Sequence, residues 1–307
     1  MRVLCAGHVN WDVTLRVDRL PDPDGEVLIE ERVQAGGGSA ANVACTLASL
    51  DVTASLFGSV GEDQTGRLVC EELDAFGVDT ANIVRVAGHE TSTKYLVVDG
   101  TGEVMVLSNA GANEAFAPDD LDTTTLAAAD HLHLTSQRPA TAAALAELAD
   151  ERGIVVSFDP GRRIADRDYA ATLANTDVLF LNEREAATLS ERESFADLVS
   201  EATVVVKHGG QGATVHRPGR ELDHPGYPVE AVDTTGAGDA FAAGYIAARW
   251  RLFDGVVPGN QSDDAYREVL AAANACGALA SLRVGARTAP TWADVEGFVA
   301  DHGVVGE

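Results

Sequence analysis

Asp233-Thr234-Thr235-Gly236-Ala237-Gly238-Asp239 runs directly into Ala240-Phe241-Ala242-Ala243-Gly244-Tyr245-Ile246-Ala247-Ala248. The second run is helix-forming, so Gly236-Ala237-Gly238 reads as a glycine-rich turn that opens a helix. The free N–H groups and positive dipole end of such a turn bind an anion. Asp239 puts a carboxylate into the first helical turn. Anion-binding amides beside a potential general base are what transfer of a phosphoryl group to a hydroxyl needs. Two other readings of the glycines fail. Phe241 stands where a dinucleotide fingerprint needs its third glycine, and no Gly-x-x-x-x-Gly-Lys-Ser/Thr run occurs in the chain.

Outward from this turn, short apolar runs alternate with alanine-rich helical patterns. Val3-Leu4-Cys5, Leu56-Phe57, His131-Leu132-His133-Leu134, Ile154–Phe158, Val178–Leu181 and Val204-Val205-Val206 read as strands. Ser39–Leu50, Thr65–Phe76, Thr141–Arg152, Asp239–Arg249 and Tyr266–Ser281 read as helices. Such alternation predicts an α/β fold, with a mostly parallel sheet sandwiched by helices. Val13–Val33 and Thr91–Leu107 break the pattern with alternating β-type residues around turns at Pro21–Gly25 and Asp99–Gly102. They read as hairpins standing apart from the main sheet, a small β lid over a site.

The 307 residues, 46% of them hydrophobic, support one large domain over 1–307, with the lid inserted at about 13–33 and 91–107. No run of about eighteen apolar residues predicts a membrane span. The N-terminal strand reaches Asp12 too soon for a signal peptide, so a cytoplasmic protein is expected. The formal net charge of −26 repels nucleic acid and anionic membranes. Lys94 and Lys207 are the only lysines, and the acids are spread along the whole chain. That pattern fits a cytosol of very high salt, where screening removes self-repulsion. Cys5, Cys45, Cys70 and Cys276 have no ligand spacing and read as reduced, buried small residues.

A second glycine cluster, Gly36-Gly37-Gly38 followed by Ser39-Ala40-Ala41-Asn42, joins the first hairpin to a helix. With the Asp233–Asp239 segment it resembles, in order and separation, the two signatures of the ribokinase (PfkB) family of carbohydrate kinases. The resemblance covers essentially the whole chain. It implies a doubly wound ribokinase-like fold with a β lid, and ATP-dependent phosphorylation of a sugar-type hydroxyl. Asp239 would be the base, and Gly236, Ala237 and Gly238 the anion hole. Asn10, Asp12, Gly37, Gly38 and Asn42 would bind sugar hydroxyls, the first two at the end of the first strand. Asn182 and Glu185 match an Asn-x-x-Glu motif, with Glu185 positioning Mg²⁺ through water and Asn182 near the phosphates. Lys207, Gly209 and Gly212 resemble the nucleotide loop, and Asn274 a position flanking adenine. Asp233, Thr235, Ala280, Arg283 and Gly285 match a monovalent-cation site, which K⁺ would fill.

The acceptor is read from departures from the family pattern. Gln137 stands where ribokinases carry a Glu on the sugar. Asp159-Pro160-Gly161-Arg162-Arg163 resembles patterns of fructokinases, ketodeoxygluconate kinases and nucleoside kinases, and these remain alternatives. Lys94, Arg138 and Arg163 together would clamp a phosphate already on the acceptor, as in ribose 1-phosphate or fructose 1-phosphate, or Lys94 only pairs with acids of the lid. Loss of Asp239 or of the glycines would point instead to a sugar-binding regulator, and all are present. A homodimer through the lid is expected, because its hairpins leave open edges.

Overall fold

The strand and helix signals resolve into two sheets in the computed structural model, which describes residues 1–191, 197, 200, 202–253 and 261–303. The strands are β1 (Arg2–Ala6), β2 (Asn10–Val17), β3 (Ile29–Gly37), β4 (Thr53–Gly61), β5 (Ile83–Val86), β6 (Thr93–Val98), β7 (Val104–Asn109), β8 (His131–Thr135), β9 (Val155–Asp159), β10 (Val178–Asn182), β11 (Thr203–Lys207), β12 (Ala213–Arg217) and β13 (Arg220–His224). The helices are α1 (Ser39–Ser49), α2 (Gln64–Ala75), α3 (Thr123–Ala127), α4 (Pro139–Asp150), α5 (Ala170–Leu173), α6 (Glu183–Ser190), α7 (Ala237–Phe253), α8 (Asp263–Ser281) and α9 (Trp292–His302).

The large sheet has the order β13-β12-β11-β10-β9-β8-β1-β4-β5. It is parallel from β5 to β11, and β12 and β13 add an antiparallel edge. Its strands read as unbroken apolar runs because both faces are covered. In β1, Val3 and Cys5 face one core with α1, α7 and α8, while Leu4 and Ala6 face the other with α4. The edge hairpin was not foreseen. Its strands alternate polar and apolar residues, and Pro218-Gly219 between them was the signal that could have found it. Strand order reverses between β1 and β8, and ligands of open α/β sheets bind beyond the strand ends at such a switch point.

One expectation needs correction. β1 ends at Ala6, so Asn10 and Asp12 lie inside β2 rather than at the end of the first strand. The two hairpins form the small sheet apart from the main one: β2 pairs in parallel with β6, giving four strands in the order β3-β2-β6-β7. A lone hairpin is marginal in water, whereas the joined sheet buries Val13 and Val17.

Candidate active site

Gly236 takes a left-handed φ of 77°, and a Cβ there would meet the Ala286 backbone at 2.5–3.0 Å. Only glycine fits, and the tight turn delivers the chain into α7 with its first N–H groups free. Ala237 and Gly238 already belong to the first turn of α7, which starts two residues ahead of the expected Asp239. They line a cavity of about 420 Å³ together with Asn182, Lys207, Gly209, Gly212 and Asn274. Each of these was singled out from the sequence. Asn274 donates Nδ2 to Leu270 O at 2.8 Å within its own helix, which leaves its Oδ1 for the cavity. Tyr227, Pro228 and Val229 complete the wall and were missed. They follow β13, and nothing local marks that loop as part of a site.

Around Lys207, which lines this cavity, three carboxylates converge: Asp159, Glu185 and Asp239. Asp239 accepts a hydrogen bond from Asn42 Nδ2 at 2.7 Å. Burial pushes its carboxyl up to about 6, with the Asp159 charge adding to the rise; Asn42, Lys207 and Lys94 pull the other way. Lys207 Nζ lies 2.6 Å from Asp159 Oδ2, and 3.6 Å from where a Cβ on Gly238 would stand. The ammonium therefore sits beside the glycine turn. It remains charged: its pKa is raised, because Asp159, Glu185 and Asp239 more than offset burial. Asp159 had been read only as part of a substrate pattern. Its place at the end of β9, among the strand ends that line the site, was the usable signal.

Asn182 and Glu185 cap each other at the start of α6: Asn182 Oδ1 accepts from Glu185 N, and Glu185 Oε2 from Asn182 N, both at 2.9 Å. A capped helix start explains the Asn-x-x-Glu spacing by itself. Glu185, however, is only 6% exposed, and burial followed by the Asp159 charge raises its pKa. A cation nearby would offset that burial. Among the described residues no three His, Cys, Asp or Glu side chains form a metal-binding group. The donor set fits an ion held through water and phosphate oxygens, as Mg²⁺ prefers, rather than a protein cage.

On the other side of Asp239 lies a polar wall built by the small sheet and α1. Register places Asp12 beside Lys94, and Asn10 beside Gly37. Lys94 Nζ is 3.1 Å from the Asn10 amide, which accepts from it when its oxygen is turned that way. Asn113 holds the same amide at 2.6 Å. Asp12 is pushed up by burial, against the pull of Lys94 and Arg287. Asp12 Oδ1, Asn42 Oδ1, Thr135 Oγ1 and Gln137 Oε1 are buried with no hydrogen-bond partner among the described residues. Unpaired buried oxygens are costly, and a polyhydroxyl ligand would pair them. Gln137 is fully buried, and its Nε2 donates to Ala6 O at 3.3 Å. Arg138 and Arg163 are exposed on the turns after β8 and β9. Glu114, paired with His8 at 2.7 Å and Arg167 at 2.9 Å, and held down at about 2, borders Gln137 and was not anticipated.

Asp233 ties two loops together. Its Oδ1 accepts from Thr235 N, and its Oδ2 from Gly285 N, each at 2.9 Å. That bond brings the segment of Asp233 and Thr235 against the end of α8, where Ala280, Arg283 and Gly285 lie.

The model of the pfkB family of carbohydrate kinases matches residues 1–293. The chain belongs to this family. It is 54% identical over 304 residues to the ATP-dependent ribose-1-phosphate kinase of Halopiger xanaduensis, covering 98% of this chain and 99% of that one. It is 33% identical to a fructokinase of Klebsiella pneumoniae, over 91% of this chain and 94% of the relative. The crystal structure of the Methanocaldococcus jannaschii nucleoside kinase, a ribokinase-family member, superposes with a TM-score of 0.85 at 21% identity, covering 98% of both chains. The ribokinase-like fold expected of this carbohydrate kinase is thus the one found. No helix among the described residues is long and apolar enough to cross a membrane.

Proposed function

We propose that this kinase transfers the γ-phosphoryl group of ATP to the primary hydroxyl of ribose 1-phosphate. The observation that carries the choice of acceptor is the 54% identity, over nearly both full lengths, to a kinase named for that substrate. The geometry supports it: Lys94 stands in the wall with Asn10 and Asp12, where a neutral sugar needs no cation.

In this reading Asp239 takes the proton of the acceptor hydroxyl as its oxygen attacks the γ-phosphorus. The bond from that phosphorus to the bridging oxygen breaks, and ADP leaves. Amides of Ala237 and Gly238 at the α7 N-terminus meet the charge on the transferring group. Lys207 spends one of its three N–H donors on Asp159 and has two left for phosphate oxygens. Asn42 Nδ2 orients Asp239, and its free Oδ1 accepts from an acceptor hydroxyl. Gly37, Gly38, Asp12 and Asn10 take the remaining hydroxyls, Gln137 flanks them, and Arg138 and Arg163 reach in from the rim to the acceptor phosphate. Gly209, Gly212, Asn182 and Asn274 bound the nucleotide. Mg²⁺, held through water by Glu185, would neutralise phosphate charge. K⁺ would sit on carbonyls of Asp233, Thr235, Ala280, Arg283 and Gly285 and support the anion hole. The small sheet would act as lid and dimer contact within one kinase domain over 1–307, in a cytoplasm of high salt.

The test is a panel of ribose 1-phosphate, ribose, fructose and adenosine with ATP in molar KCl. Ribose 1-phosphate should give the highest kcat/KM, and Lys94→Ala should lower it by about tenfold or more, the scale of one charge-assisted hydrogen bond. An uncharged sugar or nucleoside as best acceptor would overturn the reading.

A further inference from the structure

Arg287 is charged, yet only 2% of its side chain is exposed. It follows Ala286, whose backbone packs on the anion-hole glycine Gly236. Its NH2 donates to Gly37 O at 3.0 Å, and its NH1 lies 3.2 Å from Glu72 Oε1. The same Glu72, on α2, accepts the Gly36 N–H at 3.0 Å. A Cβ on Gly36 would overlap the Arg287 guanidinium, and one on Gly37 would overlap the Asp12 carboxylate. The end of β3 is therefore pressed between Arg287 and Asp12, and glycine is required at both positions for the fit.

We propose that Arg287 is a positioning residue for the acceptor: with Glu72 it clamps the Gly36–Gly38 turn against Asp12 and sets the spacing that the acceptor's hydroxyls meet. The proposal rests on the reading of Asp12, Gly37 and Gly38 as acceptor-binding. β3 is the edge of the small sheet, with β2 as its only strand partner among the described residues, so its last residues need holding from outside. A planar guanidinium can hydrogen-bond a carbonyl through one nitrogen while its charge pairs with a carboxylate beside another, an arrangement a lysine ammonium holds less rigidly. Burial pushes the Asp12 carboxyl up, and the Lys94 and Arg287 charges pull against that rise.

Wild type, Arg287→Lys, Glu72→Gln and Gly36→Ala are compared by steady-state kinetics, varying acceptor and nucleotide separately, with melting temperatures as a check on folding. Gly36→Ala displaces the guanidinium without removing a charge. All three variants should raise the acceptor KM by about tenfold, with nucleotide KM and kcat changed by less than about threefold. The proposal is overturned if the acceptor KM stays within about twofold of wild type, or if the nucleotide KM rises in step with it. Should Arg287→Lys not fold, the other two variants, which keep the guanidinium, decide. The kinetics use whichever acceptor the wild type turns over best. An acceptor other than ribose 1-phosphate would refute the substrate reading while leaving the Arg287 test intact.

Discussion

Asp239 must be buried to face the reacting hydroxyl and ionised to act as its base, and these demands oppose each other. Burial lifts its pKa from 3.8 to about 6. The ionised form therefore costs the fold on the order of 3 kcal/mol. The cost is absent below the unfolded value near pH 4, grows as pH rises to about 6, and is constant above that. Asp239→Asn keeps the shape and removes the charge. We predict that kcat falls by about 10²–10⁴-fold, while the melting temperature at pH 7–8 rises. That rise should vanish when both proteins are melted near pH 4. Near-normal turnover, or a variant less stable than wild type at pH 8, would refute this account of the residue. In the wild type kcat/KM should climb through a pH near 6 as Asp239 ionises.

At the scale of the element, β8 and β9 carry a buried polar group beneath the site. His131 Nε2 lies 2.7 Å from Ser157 Oγ, and His133 Nδ1 lies 2.8 Å from the same oxygen. One ring accepts the hydroxyl proton, which requires it to be neutral, and the other donates to the oxygen. Burial, the largest influence on both, holds His133 down at about 4 and His131 well below its usual value. In the unfolded chain both histidines protonate below about pH 6.5. Stability from this pair is thus full above that pH and is lost as pH falls toward 4. His133→Leu should flatten this acid limb in melting curves recorded from pH 7 to 4, with Ser157 still served by His131. An unchanged slope would show that the acid sensitivity lies elsewhere.

At the scale of the whole molecule, a net charge of −26 on 307 residues is a standing repulsion that only salt can screen. Dilution from molar KCl to low ionic strength should lower the melting temperature and activity together; an unchanged melting temperature would contradict the high-salt reading. The small sheet adds a second whole-molecule feature. Val104, Met105, Val106 and Leu107 on its edge strand β7 are all exposed, as are Leu28 and Ile29 near β3. An exposed apolar edge invites pairing with another copy. Light scattering should report a dimer, and Val106→Lys should convert it to monomer. A monomeric wild type would remove the dimer from the account.

What the sequence determined by itself was local. The glycine turn before α7, the first-turn position of Asp239 and the cap at Asn182 all follow from neighbours a few residues apart, where backbone sterics and helix-end chemistry leave few options. The parallel sheet was legible for a related reason, since strands covered on both faces must be apolar throughout. The pairing of β2 with β6 inside the lid was not legible, because polar alternation says which face is wet but not which strand lies alongside. Nor were the contacts that complete the site. Asn42 meets Asp239 across 197 residues of chain, Lys207 meets Asp159 across 48, and Arg287 meets Gly37 across 250. Whether Lys207 faces a phosphate or a carboxylate, and whether Arg287 is surface or core, depends on which strand ends the fold brings together. Only tertiary packing sets those distances, and with them the burial that moves Asp239 into the working range of a base.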